Sequence, residues 1–262
     1  MEKYVTRRQR KENKEKKRKK IIIIFLVIMF LCLSGFIVIS LIKRNLKDKK
    51  HKKNKYGSES IVELEPGSIP SFSGNDYIVL NGGKPSFDSW DLDNITGEYY
   101  SDLDDLGRCG VAYAMLDRTM MPDKERGEIG QVKPTGWVQK KYEGIVDSNP
   151  PYLYNRCHLI AYALTGQNAN EKNLITGTRY MNVCIMLPWE EKVMKYLDNT
   201  DNHVLYRVTP YFKDNELLAR GVEMEAYSVE DDGEGICFHV FVYNVQPGVK
   251  IDYTTGESWV KN

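Results

Sequence analysis

Apolar and polar positions fall into distinct regimes along the chain. Ile21 to Ile42 is a run of 22 residues without a charge. At about 1.5 Å per residue it is long enough to cross the roughly 30 Å hydrocarbon core of a bilayer, and a single segment does that only as a helix. Three later stretches, His203 to Phe212, Gly221 to Val229 and Ile236 to Val245, alternate with a period of two; in the second, Val222, Met224 and Ala226 stand against Glu223, Glu225 and Tyr227. Such alternation predicts strands. The Asn, Gly and Asp residues between them predict an antiparallel meander with one wet face. Further upstream, Asp76 to Leu80 before Asn81-Gly82-Gly83 reads as a strand and turn, Val111 to Leu116 as a strand, and Leu153 to Ile160 as a strand-like run. Tyr99 to Gly107, with Leu103 and Leu106 at helical spacing, reads as a short helical turn. Met120 to Pro134 is polar and turn-rich, and Lys192 to Leu197 completes a helix. The expected body is α+β: a mixed, mostly antiparallel sheet with packed helices, preceded by one transmembrane helix.

Charge separates the two ends. Residues 1–55 hold 19 Lys and Arg against 4 Asp and Glu, while residues 56–262 hold 18 against 32. The total of +1 therefore averages a very basic end and an acidic body. The predicted organisation is a basic cytoplasmic tail over residues 1–20, a transmembrane anchor over 21–42, a basic stalk and linker over 43–75, and a folded domain over 76–262. A cleaved signal peptide is the rival to the anchor. Its apolar stretch would be shorter and followed by a small-x-small site, whereas Ser34-Gly35 lies inside the run and Lys43-Arg44 closes it. The more basic flank stays inside, which puts the folded domain outside the cell, with the stalk on anionic lipid headgroups. An acidic body counts against broad, sequence-independent contact with nucleic acid, so such chemistry must gather its cations locally. Of five cysteines, Cys32 lies in the apolar run, and Cys109, Cys157, Cys184 and Cys237 form no CxxC pair. That spacing argues against a zinc site, and at most one disulfide is expected.

The chemistry concentrates in Leu153-Tyr154-Asn155-Arg156-Cys157-His158-Leu159-Ile160 and in the residues just downstream. Asn173 and Asn182 come 15 and 24 residues after His158, and Glu190 and Glu191 eight and nine residues after Asn182. A general base, a guanidinium that grips phosphate, an amide oxygen for a hard cation and a carboxylate suit metal-assisted cleavage of a phosphodiester. On an unbroken helix Asn182 and Glu190 would lie about 80° apart, but Pro188 between them is expected to restart the helix as a first-turn residue. Glu190 and Glu191 compete for the carboxylate role. Arg179, one turn before Asn182, could meet substrate or a helix carboxylate, and a local basic cleft around Arg156 and Arg179 is expected. His51, His203 and His239 read as surface or packing residues. Cys157 beside His158 suggests a thiol nucleophile, but adjacent strand residues point to opposite faces.

Asn155-Arg156-Cys157-His158 resembles the D-R-G-H motif of the DNA/RNA non-specific endonucleases, a branch of the ββα-metal (His-Me finger) nucleases. NLITGTRYMN, EEKV, NHVLYRVTPYF and YNVQPGVKIDYTTGE extend the resemblance to bacterial membrane-associated and secreted members, over roughly Tyr77 to Ser258. The resemblance implies a ββα-metal finger inside a nuclease domain spanning 76–262. It implies that His158 is the general base, that Asn182 holds magnesium, or manganese in its place, and that Arg156 braces the phosphate. Asn173 matches the supporting Asn, and Glu190 the carboxylate that orients metal-bound water. The implied activity is sequence-non-specific hydrolysis of DNA, with RNA as a further substrate, leaving 5′-phosphate ends at the outer surface of a bacterial cell. Two departures stand out. The family's Asp is Asn155 here, and its Gly is Cys157, which would be strained if that position needs positive φ. A nucleic-acid-binding module weakened by these changes is the alternative on the same fold, and a thiol hydrolase using Cys157 is a third reading.

Overall fold

The computed structural model describes residues 68, 70 and 72–261. The basic tail, the 21–42 run and residues 43–67 of the stalk lie outside the described residues, which hold no helix long and apolar enough to cross a membrane. In chain order the strands are β1 (Tyr77–Val79), β2 (Glu98–Tyr100), β3 (Ala112–Leu116), β4 (Tyr154–His158), β5 (Leu174–Thr178), β6 (Val204–Tyr211), β7 (Gly221–Ser228), β8 (Cys237–Tyr243), β9 (Val249–Ile251) and β10 (Ser258–Val260). Six of them form one sheet in the order β1-β8-β7-β6-β3-β2, while β4–β5 and β9–β10 pair as separate hairpins.

The three alternating stretches make the expected meander, with Val208 opposite Met224 and Met224 opposite Val240. Every described pairing is antiparallel, so the expected mixed sheet is corrected to a purely antiparallel one. No βαβ crossover, which parallel neighbours require, joins any two of its strands. Pro210 is tolerated inside β6 because β3 pairs only as far as Val208, leaving the proline an unpaired side.

Two sequence expectations need correction. Tyr99 to Gly107 holds its expected short turn only at the end, where Gly107 N donates to Asp104 O at 2.8 Å; it begins as strand, since Glu98–Tyr100 extends and pairs with β3, and the Tyr99 and Tyr113 rings meet at 5.2 Å. The far face of the meander is not wet. One face packs on the main core through Tyr206, Met224 and Val240. The other is covered by a small cluster of Leu80, Phe241 and Tyr243 and by the segment after β1, so β8 is buried from Phe238 onward. Ser86 donates from N and Oγ to Glu225 Oε1 at 2.7 and 2.8 Å, and the Lys84 carbonyl accepts from His239 Nδ1 at 3.0 Å.

Helix α1 (Ser89–Asn94) starts at a capping box in which Asp88 and Asp91 each accept the other's backbone N–H. Helix α2 (Tyr162–Thr165) is a single turn after β4. The long helical segment after β5 is π-wound over Tyr180–Met186 and continues as α3 (Leu187–Asn199). Leu187 N–H donates to Asn182 O, five residues back. The expected restart at Pro188 is met: the α-helix begins at Leu187 with the proline in its first turn, and the π-wound segment runs into it through helical φ/ψ at Met186 and Leu187. Pro188 has no N–H to give, and the wider winding before it absorbs the interruption.

Candidate active site

β4, β5 and the helix after them form a ββα unit. β4 pairs residue by residue with β5, His158 opposite Leu174 and Tyr154 opposite Thr178. The helix then runs back along the hairpin, anchored at its start by Met181 N donating to Thr178 Oγ1 at 3.0 Å. Further along, Met186 Sδ lies 3.4 Å from Cys157 Sγ. Alternation along β4 sends Cys157 into the core and leaves Arg156 and His158 on the other side. Cys157 lies in a strand and is not among the non-glycine residues with positive φ, so the departure from Gly carries no backbone strain. Its thiol is fully buried, with a pKa pushed well up by desolvation and by Glu190, which suits packing rather than nucleophilic attack. Cys109, Cys157, Cys184 and Cys237 are all free thiols.

His158 is 6% exposed. Its Nε2 lies 2.9 Å from the Asn168 carbonyl. A carbonyl only accepts, so Nε2 carries the proton and Nδ1 presents the free lone pair. Burial, aided by the charge of Arg126, lowers the pKa from 6.5 to about 4. The ring is therefore neutral at pH 7, with the Nδ1 lone pair free. Asn173 fixes the chain just beyond it. Its Oδ1 accepts from Ile160 N and its Nδ2 donates to Ile160 O, both at 2.9 Å, with the side chain wholly buried. Both ends of that amide are engaged by backbone, so Asn173 holds the shape of the strand end.

A cleft of about 520 Å³ opens beside the hairpin, lined in part by Arg126, Asn155, Arg156, Arg179 and Asn182. The basic cleft expected around Arg156 and Arg179 thus has a third guanidinium, Arg126. Nothing in Lys124-Glu125-Arg126-Gly127-Glu128 distinguishes it from a solvated charge run, so no signal in the sequence could have found it. Gly127 lets that loop close on the residue that orients His158, since a Cβ there would lie 2.9 Å from Asn168 Nδ2. The three arginines differ in freedom. Arg156 donates from Nη2 to Gly130 O at 2.8 Å and from Nε to Val132 O, and its guanidinium lies 4.3 Å from the Trp137 ring centroid. Arg179 donates from Nε to Asp147 O at 2.9 Å. Arg126 makes no hydrogen bond or ion pair among the described residues, although burial lowers its pKa. No carboxylate lines the cleft. Unpaired guanidiniums of this kind make a site for a phosphate.

Asn182 stands in the same wall, and its side-chain amide has no hydrogen-bond partner among the described residues. One neutral oxygen facing open space suits a hard divalent cation that keeps most of its waters; it does not supply the nitrogen and sulfur set that zinc prefers. Glu190 is 7% exposed and turned inward, whereas Glu191 faces solvent. Desolvation first, then Glu191, raises the Glu190 pKa to about 8. Neither glutamate belongs to the cleft wall. A second acidic group, Glu223, Glu225 and His239, has ligand atoms within 4.8 Å of one another, but it lies on the large sheet and its members already bond to each other and to neighbours.

A family model described as DNA/RNA non-specific endonuclease matches residues 91–230. A deoxyribonuclease from Streptococcus dysgalactiae subsp. equisimilis is 37% identical, over 60% of this chain and 59% of that protein, so the chain spans about three-fifths of that relative's length. The crystal structure of NucA from Streptococcus agalactiae with magnesium ion bound matches with a TM-score of 0.63 and 28% identity, over 74% of this chain and 91% of that one. The Sda1 nuclease with bound zinc ion matches with a TM-score of 0.59 and 28% identity, over 72% and 98%.

Proposed function

The chain belongs to the DNA/RNA non-specific endonuclease family, and from that premise we propose that it is a metal-dependent, sequence-non-specific endonuclease hydrolysing the phosphodiester bonds of DNA, and of RNA as a further substrate. The observation that carries this reading is the cleft itself: three guanidiniums without a carboxylate partner beside an amide without a partner, next to a strand whose histidine is held neutral.

In this mechanism His158 takes the proton of the attacking water on Nδ1. Arg126 and Arg179 hold the phosphate and the charge that grows on its oxygens. Arg156 secures the 130–132 segment downstream of Arg126 and adds its own charge to the field. Asn182 would hold the divalent cation, magnesium or manganese in its place. A cation held there would supply Lewis-acid polarisation of the phosphate and charge stabilisation for the leaving oxygen. Glu190 is the carboxylate that the family resemblance implies near that cation; it lies buried behind the cleft wall with a raised pKa, and would serve there only once a positive charge nearby lowered that pKa into the ionised range. Asn173 positions the strand end. Residues 21–42 anchor the enzyme in a bacterial cell membrane, with the folded domain outside.

Asn155, standing in the cleft wall where the family motif has Asp, favours one second reading: a surface module that holds nucleic acid without cutting it. Plasmid digestion by the full chain separates the two. Cleavage that requires Mg²⁺ and falls about a thousandfold in His158→Ala supports the enzyme. Binding without cleavage supports the module, and cleavage that survives EDTA but not Cys157→Ala would sink both.

A further inference from the structure

Arginines account for the phosphate-binding side of the cleft; an aromatic ring on its rim is left without a task. Tyr152 lines the same cleft as Arg126, Arg156 and Arg179 and is 40% exposed. Its hydroxyl makes no hydrogen bond among the described residues. The backbone beneath the ring is held firmly. Tyr152 N donates to Pro150 O at 2.9 Å, Tyr142 N to Pro151 O at 3.0 Å and Leu153 N to Lys140 O at 2.9 Å. The loop is also tied to the phosphate side, because Arg179 Nε donates to Asp147 O. Lys141 Nζ lies over one face of the ring, 5.1 Å from its centroid.

The other aromatic residues of the cleft are occupied. Trp137 lies under the Arg156 guanidinium at 4.3 Å, and Tyr154 is 2% exposed with its hydroxyl bonded to Gly256 O at 2.9 Å. Tyr152 is therefore the ring available to a ligand. A half-exposed ring on a fixed backbone, with Lys141 over only one of its faces and guanidiniums without carboxylates beside it, offers what a single strand needs: stacking for a base and neutralisation for the adjoining phosphate. In an intact duplex the bases stack on each other and cannot reach such a ring.

We propose that Tyr152 is a nucleobase-stacking subsite, so that the cleft favours a strand carrying an unpaired base next to the scissile phosphate over intact duplex. This rests on the nuclease reading above. The test compares kcat/KM of the full chain on a single-stranded oligonucleotide and on the same sequence as duplex, for wild type, Tyr152→Leu and Tyr152→Trp. Leucine keeps apolar bulk and removes the π face. It is expected to lower the single-strand to duplex ratio about tenfold, through KM, while tryptophan restores it. A ratio that stays within about twofold of wild type in Tyr152→Leu overturns the proposal. A second measurement does not depend on cleavage. In the His158→Ala chain, a 2-aminopurine oligonucleotide should be quenched on binding, and adding Tyr152→Leu should abolish the quench. If the wild type cuts neither substrate, the nuclease reading fails, and the quench still decides the subsite: retained quenching in the double variant overturns it.

Discussion

The far face of the large sheet and the cleft beside the β4–β5 hairpin both gather charge, on opposite terms. On the sheet, Arg207 Nη2 meets Glu225 Oε2 at 2.6 Å, and His239 Nε2 meets Glu223 Oε1 at 2.5 Å and Glu225 Oε1 at 3.6 Å. Ser86, Tyr211 and the Lys84 carbonyl take the remaining positions. In the cleft, Arg126, Arg156 and Arg179 form no ion pair among the described residues, and no described carboxylate lines its wall. A charge removed from water and already paired offers nothing to a ligand and holds architecture together. Cations partly removed from water and left unpaired gain when a polyanion arrives. On the proposed function, an acidic body would accommodate nucleic acid because three arginines and no described carboxylate line the cleft wall.

The comparison can be broken most directly at Arg126. Arg126→Ala should lower the cleavage rate about a hundredfold with little change in melting temperature, and Lys should restore only part of it. Removing this contact should also reduce the slope of log affinity against log salt by about 0.7–0.9; an unchanged slope in a binding titration would take Arg126 out of the phosphate site. On the sheet the expectation reverses. Glu225→Ala leaves Arg207 without its carboxylate and should cost about 3 kcal/mol in urea unfolding, with kcat unchanged wherever the protein stays folded.

The two buried histidines sharpen the contrast further. Burial alone would lower the His239 pKa, but the hydrogen bond to Glu223 and the charge of Glu225 raise it above 6.5. Its stabilising contribution is therefore full below pH 6.5 and is lost as pH rises through the folded value. His158 is shifted down, from 6.5 to about 4. The folded chain resists protonating it, so stability is lost as pH falls from 6.5 toward 4. NMR titration of the two rings should find midpoints on opposite sides of 6.5. The smallest effect belongs to Cys157→Ala, which should leave cleavage within about twofold and cost about 1 kcal/mol of stability; a large loss of activity would revive the thiol reading.

Strand alternation made β6, β7 and β8 legible in the sequence, and the cluster of Arg, His and Asn pointed to the hairpin and its helix. The rest depended on contacts that periodicity does not encode. Arg126 sits in a turn-rich stretch and becomes part of the site only because the loop folds against β4, 30 residues away. The second face of the sheet read as wet because its cover, Lys84 to Phe87, comes from the far end of the domain. α1 escaped for a different reason: Asp88 and Asp91 do spell a cap, but the turns after it bury no residue, so no apolar stripe announces the helix. The winding at Asn182 was hidden, since a proline six residues later marks the start of an α-helix and says nothing of the wider turns that precede it.

Gly177 extends the meaning of the cysteine in the motif. A Cβ on Gly177 would lie 2.7 Å from both Cys157 Cβ and Met181 Cε, so the hairpin has room for one side chain at this spot, from either strand. Where the resembled motif has Gly, this chain fills the space from β4, and Gly177 on the neighbouring strand leaves it room. Positions 157 and 177 are one volume shared across a ladder, and a residue that looks like a change of catalytic apparatus is the filling of that volume.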